Sequence, residues 1–167
     1  MTASDGTYAL TDLATGSYDV EFTSGCGGSP VFGQQWYNGK SSESASTAIP
    51  VTTGVTTTSI NAALTVGGTI SGTVTVSSGI SDFSGICVDA FAPGDFLSPS
   101  GSTTTASDGS YSLPNLAPGN YDVEFSAGCG ISENVGQQWY NTKASQSSAN
   151  VVAVTAEATG SWKSPAA

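Results

Sequence analysis

The chain has 167 residues, of which 38% are hydrophobic and only 10% are charged, and its formal net charge is -10. This length suits one or two small globular domains, with Ser, Thr, Gly and Asn supplying most of the polar surface. Nucleic acid is not expected as a partner, because phosphate contacts need a basic patch and the chain has only three Lys plus Arg. Membrane insertion is not expected either, since no apolar run approaches the roughly 20 residues that span a bilayer.

The chain contains an internal repeat. Residues 4–40 and residues 107–143 align without a gap, and 24 of their 37 positions are identical. A repeat of this length predicts a tandem of similar structural units. In each copy an Asp-Gly pair, such as Asp108-Gly109, predicts a tight turn because Gly adopts a positive φ freely.

Two strands are predicted after this turn. Apolar and polar residues alternate over residues 110–113, and Pro114-Asn115 is expected to end that strand. Residues 121–125 then place Tyr, Val and Phe on one face and two carboxylates on the other. We expect the carboxylates to form a solvated face that protects the strand edge. They are Asp122 and Glu124 in the second copy and Asp19 and Glu21 in the first.

Further short strands are predicted between turn signals along the chain. They cover residues 34–38, 49–51, 60–64, 69–76, 86–91, 103–106, 150–155 and 160–167. No segment shows helical periodicity of useful length. Many short strands separated by Gly and Pro turns indicate an all-β sandwich fold.

The two copies are unequal. Residues 68–167 form a complete repeat with two leading strands, 69–76 and 86–91, whereas residues 1–67 form a partial repeat without counterparts of these strands. The prediction is therefore a tandem of β-sandwiches in which the first lacks its front. A sandwich without two strands exposes unpaired edges and half of its core.

Three arrangements would cover these edges. The favoured one is that the chain is a fragment of a longer tandem array, or a piece complemented by another chain, because a half-domain alone is unstable. In the second, strands from a neighbouring molecule fill the gap by strand addition. In the third, residues 69–76 and 86–91 pair back onto the first copy, which the four-residue linker 65–68 makes cramped.

The three cysteines predict one disulfide within the chain and one cysteine that pairs outside it. Cys26 and Cys129 occupy equivalent positions of the repeat, and Cys87 lies in a leading strand that only the second copy has. A Cys87–Cys129 bridge within one domain is therefore predicted, and Cys26 is expected to have its partner outside this chain. The alternative is three free thiols in a reducing cytosol.

The second repeat resembles a known family in the runs GGTISGTVTV, ICVDAF and TTTASDGSYSLPNLAPGNYDVEF. It is similar to the carboxypeptidase regulatory-like domains, which are transthyretin-like sandwiches related to Cna-B-type surface repeats of secreted bacterial proteins. The resemblance implies a seven-stranded Greek-key fold and a non-catalytic role. The residues that match the family pattern are Gly68, Ile70, Gly72, Val74, Asp108, Gly109, Tyr111, Leu113, Leu116, Gly119, Tyr121, Val123 and Phe125.

Two polar-aromatic clusters are candidate glycan contacts. They contain Trp36 and Tyr37 in the first copy and Trp139 and Tyr140 in the second. Exposed aromatic rings stack on sugars, while neighbouring Gln and Asn side chains bond hydroxyl groups. The favoured alternative is that these rings pack against the sandwich core, as large aromatic residues usually do.

Metal binding and catalysis are weakly supported. Asp5 and Asp108 could contribute to a Ca²⁺ site, but a capping role in their own Asp-Gly turns is favoured because no second carboxylate lies at ligand spacing. The chain has no His, no nucleophile motif and no phosphate-binding loop. We therefore expect neither enzymatic activity nor a cofactor.

These observations favour an extracellular structural module, secreted or at a bacterial cell surface, that serves as a stalk, surface or fibre building block. Its expected partners are other copies of itself or adjoining repeats. The alternative is a carbohydrate-binding module with polysaccharide as its partner. No signal peptide follows Met1, so in an exported protein the signal is expected upstream of this chain, or Met1 is not native.

Overall fold

The computed structural model describes residues 1–24, 32–75, 82–95, 97–131 and 135–156. Within these ranges the chain forms β-strands and two 3-10 turns (Glu43–Ala45 and Gln146–Ser148) and no α-helix, which confirms the all-β class. No helix long and apolar enough to cross a membrane occurs there either. The strands are β1 (Gly16–Tyr18), β2 (Glu21–Phe22), β3 (Gln35–Trp36), β4 (Ile49–Val51), β5 (Gly68–Thr73), β6 (Cys87–Phe91), β7 (Gly101–Thr104), β8 (Ser110–Leu116), β9 (Gly119–Ser126), β10 (Gln138–Trp139) and β11 (Val152–Val154).

The second repeat is built from two antiparallel layers in the manner of a β-sandwich. One layer contains β7, β6 and β9 in that order, with β10 and β11 paired to the other edge of β9. The other layer is the β5–β8 pair. Period-2 alternation along β6, β8 and β9 turns apolar side chains toward the space between the layers. The buried core consists of Ile70, Val88, Ala90, Leu113, Leu116, Tyr121, Val123 and Val154.

The predicted break at Pro114-Asn115 is wrong, because β8 runs through both residues to Leu116. The pairing with β5 shifts register there: Ile70 lies opposite Leu113 and Gly68 opposite Leu116. The strand thus carries an extra residue, with Asn115 at a φ of 66°. A β-bulge of this kind tolerates Pro and bends the strand without ending it.

The strand predicted over residues 60–64 is also absent from the described residues. This segment passes along the first repeat, where the Tyr8 hydroxyl donates a hydrogen bond of 2.6 Å to the Ile60 carbonyl. Apolar residues between two turns predicted a strand, but a strand must pair with a neighbouring strand. Residues 60–64 pair with no strand among the described residues. The strand predicted over residues 160–167 lies outside the described residues.

The first repeat reproduces part of the second in the same register. Strand β1 pairs with β4 as β9 pairs with β11, so that Tyr18 faces Ile49 as Tyr121 faces Val152. Strand β2 pairs with β3 as β9 pairs with β10. Residues 7–13, however, form no strand, although their equivalents in the second repeat belong to β8. The described part of the first repeat holds no equivalent of β5, against which β8 is paired.

The leading strands belong to the second repeat. Strand β5 pairs with β8, and β6 pairs with both β7 and β9. The arrangement in which these strands fold back onto the first copy therefore does not occur.

The two repeats meet closely at the linker. Phe32 forms an isolated bridge with Val66, and the Gly33 amide donates a hydrogen bond of 3.0 Å to the Thr65 carbonyl. Gly33 packs directly against Ala117 of the second repeat, because a Cβ atom built on Gly33 would lie 2.3 Å from the Ala117 Cα atom. The junction thus depends on a residue without a side chain.

We expect Gly33→Ala to loosen this junction, because the new methyl group forces the two backbones apart. Proteinase K should then cleave the linker several-fold faster than in the unaltered protein. The matched control is Gly136→Ala, at the equivalent position of the second copy, where a Cβ atom would meet nothing within 4 Å. Equal cleavage of both variants would show that the contact does not fix the junction.

Candidate functional site

The most distinctive surface of the molecule is an open apolar groove in the first repeat, with a volume of about 1490 Å³. It lies where the second repeat has its core. We call it the open groove. Its apolar lining comes from residues 8–22, Phe32, β4 and residues 55–64, and includes Tyr8, Leu10, Leu13, Tyr18, Val20, Phe22, Ile49, Val51, Val55, Ile60 and Leu64.

Equivalent side chains differ sharply in exposure between the two repeats. Leu10 is 58% exposed, whereas its counterpart Leu113 is 1% exposed. Val20 is half-buried, whereas Val123 is fully buried. The same residue types thus form a core in one repeat and a surface in the other. An exposed apolar surface of this extent is typical of an interaction site.

The walls of the open groove nevertheless have the geometry of the complete repeat. The Tyr18 hydroxyl donates to the Ala14 carbonyl at 3.0 Å, as the Tyr121 hydroxyl donates to the Ala117 carbonyl at 2.7 Å. The Tyr8 and Phe22 rings meet edge to face at 5.8 Å. Their counterparts, Tyr111 and Phe125, meet in the same way at 5.7 Å. The side chains that line the open groove therefore already have the arrangement that they have in the complete repeat.

The Trp-Tyr clusters are arranged differently in the two repeats. Trp139 is 6% exposed and packs on Phe91 with a ring-centroid distance of 5.7 Å, while Tyr140 is 46% exposed. In the second repeat the phenol ring is therefore more accessible to a ligand than the indole ring. Trp36 and Tyr37 are both half-buried. The described part of the first repeat provides no counterpart of Phe91 beside Trp36.

The carboxylates of β9 do not form the solvated edge that the sequence predicted. Asp122 is only 5% exposed, and Gln146 Nε2 donates to its Oδ2 at 3.3 Å. Gln137 Nε2 donates to Glu124, whose pKa burial raises above its ordinary value. The prediction is wrong for this copy, because Gln146 and Gln137 lie over these two carboxylates. In the first copy Asp19 and Glu21 are both exposed, as predicted.

Sequence reasoning also missed a buried polar cluster at one end of this face. Asp95 is 3% exposed, its Oδ1 accepts the Leu97 amide at 3.0 Å, and its carbonyl accepts Gln146 Nε2 at 2.8 Å. Ser44 of the first repeat reaches its Oδ2 at 3.5 Å, so the cluster also joins the repeats. Asp95 follows Pro93-Gly94, a pair that predicts a solvent-exposed loop. No residue pattern near it in the sequence indicates that its side chain is buried.

Asp5 and Asp108 each accept hydrogen bonds within their own turns. Asp5 Oδ1 accepts the Thr7 amide at 2.9 Å, and Asp108 Oδ1 accepts the Ser110 amide at 2.9 Å. Hydrogen bonds with Thr7 and Ser110 hold the pKa values of these carboxyls below their ordinary value. In the described residues no group of three or more His, Cys, Asp or Glu side chains could hold a metal ion.

The second repeat is closed by a disulfide between Cys87 and Cys129, with a sulfur–sulfur distance of 2.03 Å and a sequence separation of 42. It ties the start of β6 to the loop after β9. Cys87 is 8% exposed. The thiol predicted to be unpaired in this chain, Cys26, lies outside the described residues.

The geometry of the second repeat agrees with a family comparison. The carboxypeptidase regulatory-like domain model matches residues 69–151, which run from β5 to the residue before β11. Residues 69–151, which make up most of the second repeat, form a carboxypeptidase regulatory-like domain. Domains of this family are non-catalytic β-sandwich modules. Comparisons with curated proteins and with solved structures gave no significant match.

The buried Tyr121 makes the carboxypeptidase regulatory-like domain sensitive to alkali. Burial raises the pKa of its phenol to about 12, whereas an exposed phenol ionises near pH 10. Because the folded state holds the proton more tightly, its stability is complete below pH 10 and falls as the pH rises toward 12.

Urea unfolding between pH 9 and pH 12 should show this fall. In Tyr121→Phe the fall should be smaller but still present, because burial also raises the pKa values of Tyr8 and Tyr111. The variant should be less stable by about 1 kcal/mol at neutral pH, since it lacks the hydrogen bond to Ala117. Identical alkaline slopes in both proteins would contradict the assignment to Tyr121.

Proposed function

We propose that this protein is a non-catalytic extracellular structural module, used as a stalk, surface or fibre building block at a bacterial surface. The carboxypeptidase regulatory-like domain supports the non-catalytic part of this proposal. The tandem repeat supports the structural part, because closely packed repeats form extended and stiff arrays. The Cys87–Cys129 bridge fits an oxidising extracellular compartment.

The observation that carries the proposal is the contrast between the complete second repeat and the open groove of the first. A preformed apolar surface that exposes residues such as Leu10 is stable only if something covers it in use. We propose that assembly covers it, by strand complementation and by an intermolecular disulfide of Cys26. The partners are then other copies of this chain or adjoining repeats.

Sedimentation velocity of the purified chain over a range of concentrations tests assembly. If the partner is another copy of this chain, the chain associates as its concentration rises, and Leu10→Asp weakens that association. The matched control is Leu97→Asp, which alters an 88% exposed leucine outside the open groove and should leave association unchanged. A folded chain that stays monomeric at every concentration would contradict self-assembly.

A second candidate function, carbohydrate binding, is favoured by the exposed ring of Tyr140 and the half-buried pair Trp36 and Tyr37. Sugar rings stack on accessible aromatic faces. Titration with polysaccharides should then change the tryptophan fluorescence, and Tyr140→Ala should weaken binding without unfolding the domain. A silent glycan array together with unchanged fluorescence would eliminate this candidate.

A further inference from the structure

We infer that the open groove is the acceptor site for a front segment, meaning a two-strand segment patterned like β5 and β6 that lies outside residues 1–167. The inference rests on the proposed structural function and selects, of the two partners named there, an adjoining repeat and not a second copy of this chain. The second repeat is its internal template, because it shows which strands fill the same surface when the repeat is complete.

The first incoming strand would pair with residues 7–13, as β5 pairs with β8. In the second repeat Ile70 lies opposite Leu113 and is 7% exposed, and Gly72 lies opposite Tyr111. The corresponding positions of the first repeat are Leu10 and Tyr8. An apolar residue opposite Leu10 would cover a groove side chain that is now 58% exposed.

Tyr8 makes the groove selective for glycine at one position of this strand. A Cβ atom built on Gly72 would lie 2.9 Å from the Tyr111 hydroxyl oxygen. Tyr8 is held in the corresponding place by its edge-to-face contact with Phe22 and by its hydrogen bond to Ile60. A larger residue opposite Tyr8 must therefore displace an anchored ring.

The second incoming strand would pair with residues 19–22, along the edge of β2 opposite β3, where no other described strand is paired. In the second repeat β6 occupies this edge of β9, and its Val88 and Ala90 are fully buried. Phe91, at the end of β6, covers Trp139. The same strand would bring an aromatic side chain to the half-buried Trp36.

A two-strand segment fits better than the other possible occupants. The open groove presents the edge of β2, the segment 7–13 that forms no strand there, and an apolar floor. These features call for main-chain hydrogen bonds and alternating apolar side chains. A sugar offers neither. In a second copy of this chain, β5 and β6 are already paired within its own second repeat.

The test adds a synthetic peptide with the sequence of residues 66–92, carrying Cys87→Ser to prevent disulfide exchange, to the full ¹⁵N-labelled chain. The inference predicts one peptide bound per chain, with slowed amide exchange in residues 7–13 and 19–22 and unchanged exchange in β8 and β9. Leu10→Asp in the chain should weaken binding at least tenfold, whereas Leu97→Asp should not. A Gly72→Val peptide should also bind at least tenfold more weakly.

Absence of binding at millimolar peptide would overturn the inference, as would binding that ignores both Leu10→Asp and Gly72→Val. If concentrating the chain alone protects residues 7–13 and the peptide does not compete, a second copy fills the groove and the inference is wrong. If the chain stays monomeric in sedimentation yet binds the peptide at the groove, self-assembly fails while the acceptor site stands.

Discussion

Replacing Leu113 by alanine should lower the free energy of unfolding of the second repeat by about 2–5 kcal/mol, because a fully buried leucine leaves a cavity when it is truncated. Leu113 is 1% exposed between the two layers of the sandwich. The same change at the equivalent Leu10, which is 58% exposed, should alter stability by no more than about 0.5 kcal/mol. Urea unfolding of the two variants provides the comparison.

This matched pair is informative because both leucines occupy the same position of the same repeat. A large loss at both sites would mean that the first repeat has a closed core in solution. Adding the front-segment peptide changes the expectation for Leu10. In its presence Leu10→Ala should weaken peptide binding, because the side chain then becomes part of a completed core.

Removal of the disulfide should have an effect of similar size. The double variant Cys87→Ser, Cys129→Ser should lose about 4 kcal/mol, because the bridge closes a loop with a sequence separation of 42 and so restricts the unfolded chain. Reduction of the unaltered protein should reproduce most of this loss. The double variant itself should be insensitive to reductant, which provides the control.

Thermal or urea unfolding with and without dithiothreitol measures this effect. A reduced protein as stable as the oxidised one would contradict a structural role for the bridge. Cys26→Ser should leave the stability of the second repeat unchanged, because the Cys87–Cys129 bridge does not involve it.

The sequence predicted strands well where alternation coincided with a partner strand. Residues 121–125 and 86–91 alternate clearly, and both lie in paired strands of the main sheet. The alignment of the two copies also showed that they are unequal. The strands at residues 69–76 and 86–91 of the second copy have no counterpart in the first. That inequality predicted the position of the open groove.

The errors arose where tertiary contacts decide the outcome. A bulge between the Ile70–Leu113 and Gly68–Leu116 pairs carries Pro114 within a strand, and no local pattern distinguishes a bulge from a strand end. Residues 60–64 have strand-like composition but no ladder partner among the described residues. Asp122 is buried because distant residues cross its face, which alternation along one strand does not reveal.

The most direct test is a non-reducing peptide map by mass spectrometry, with the intact mass, on protein from its natural source. The proposed function predicts Cys87 linked to Cys129, and Cys26 linked to a cysteine outside this chain, in a front segment or another copy. Three free thiols and an intact mass equal to that of this chain alone would contradict both the oxidising compartment and assembly through the first repeat.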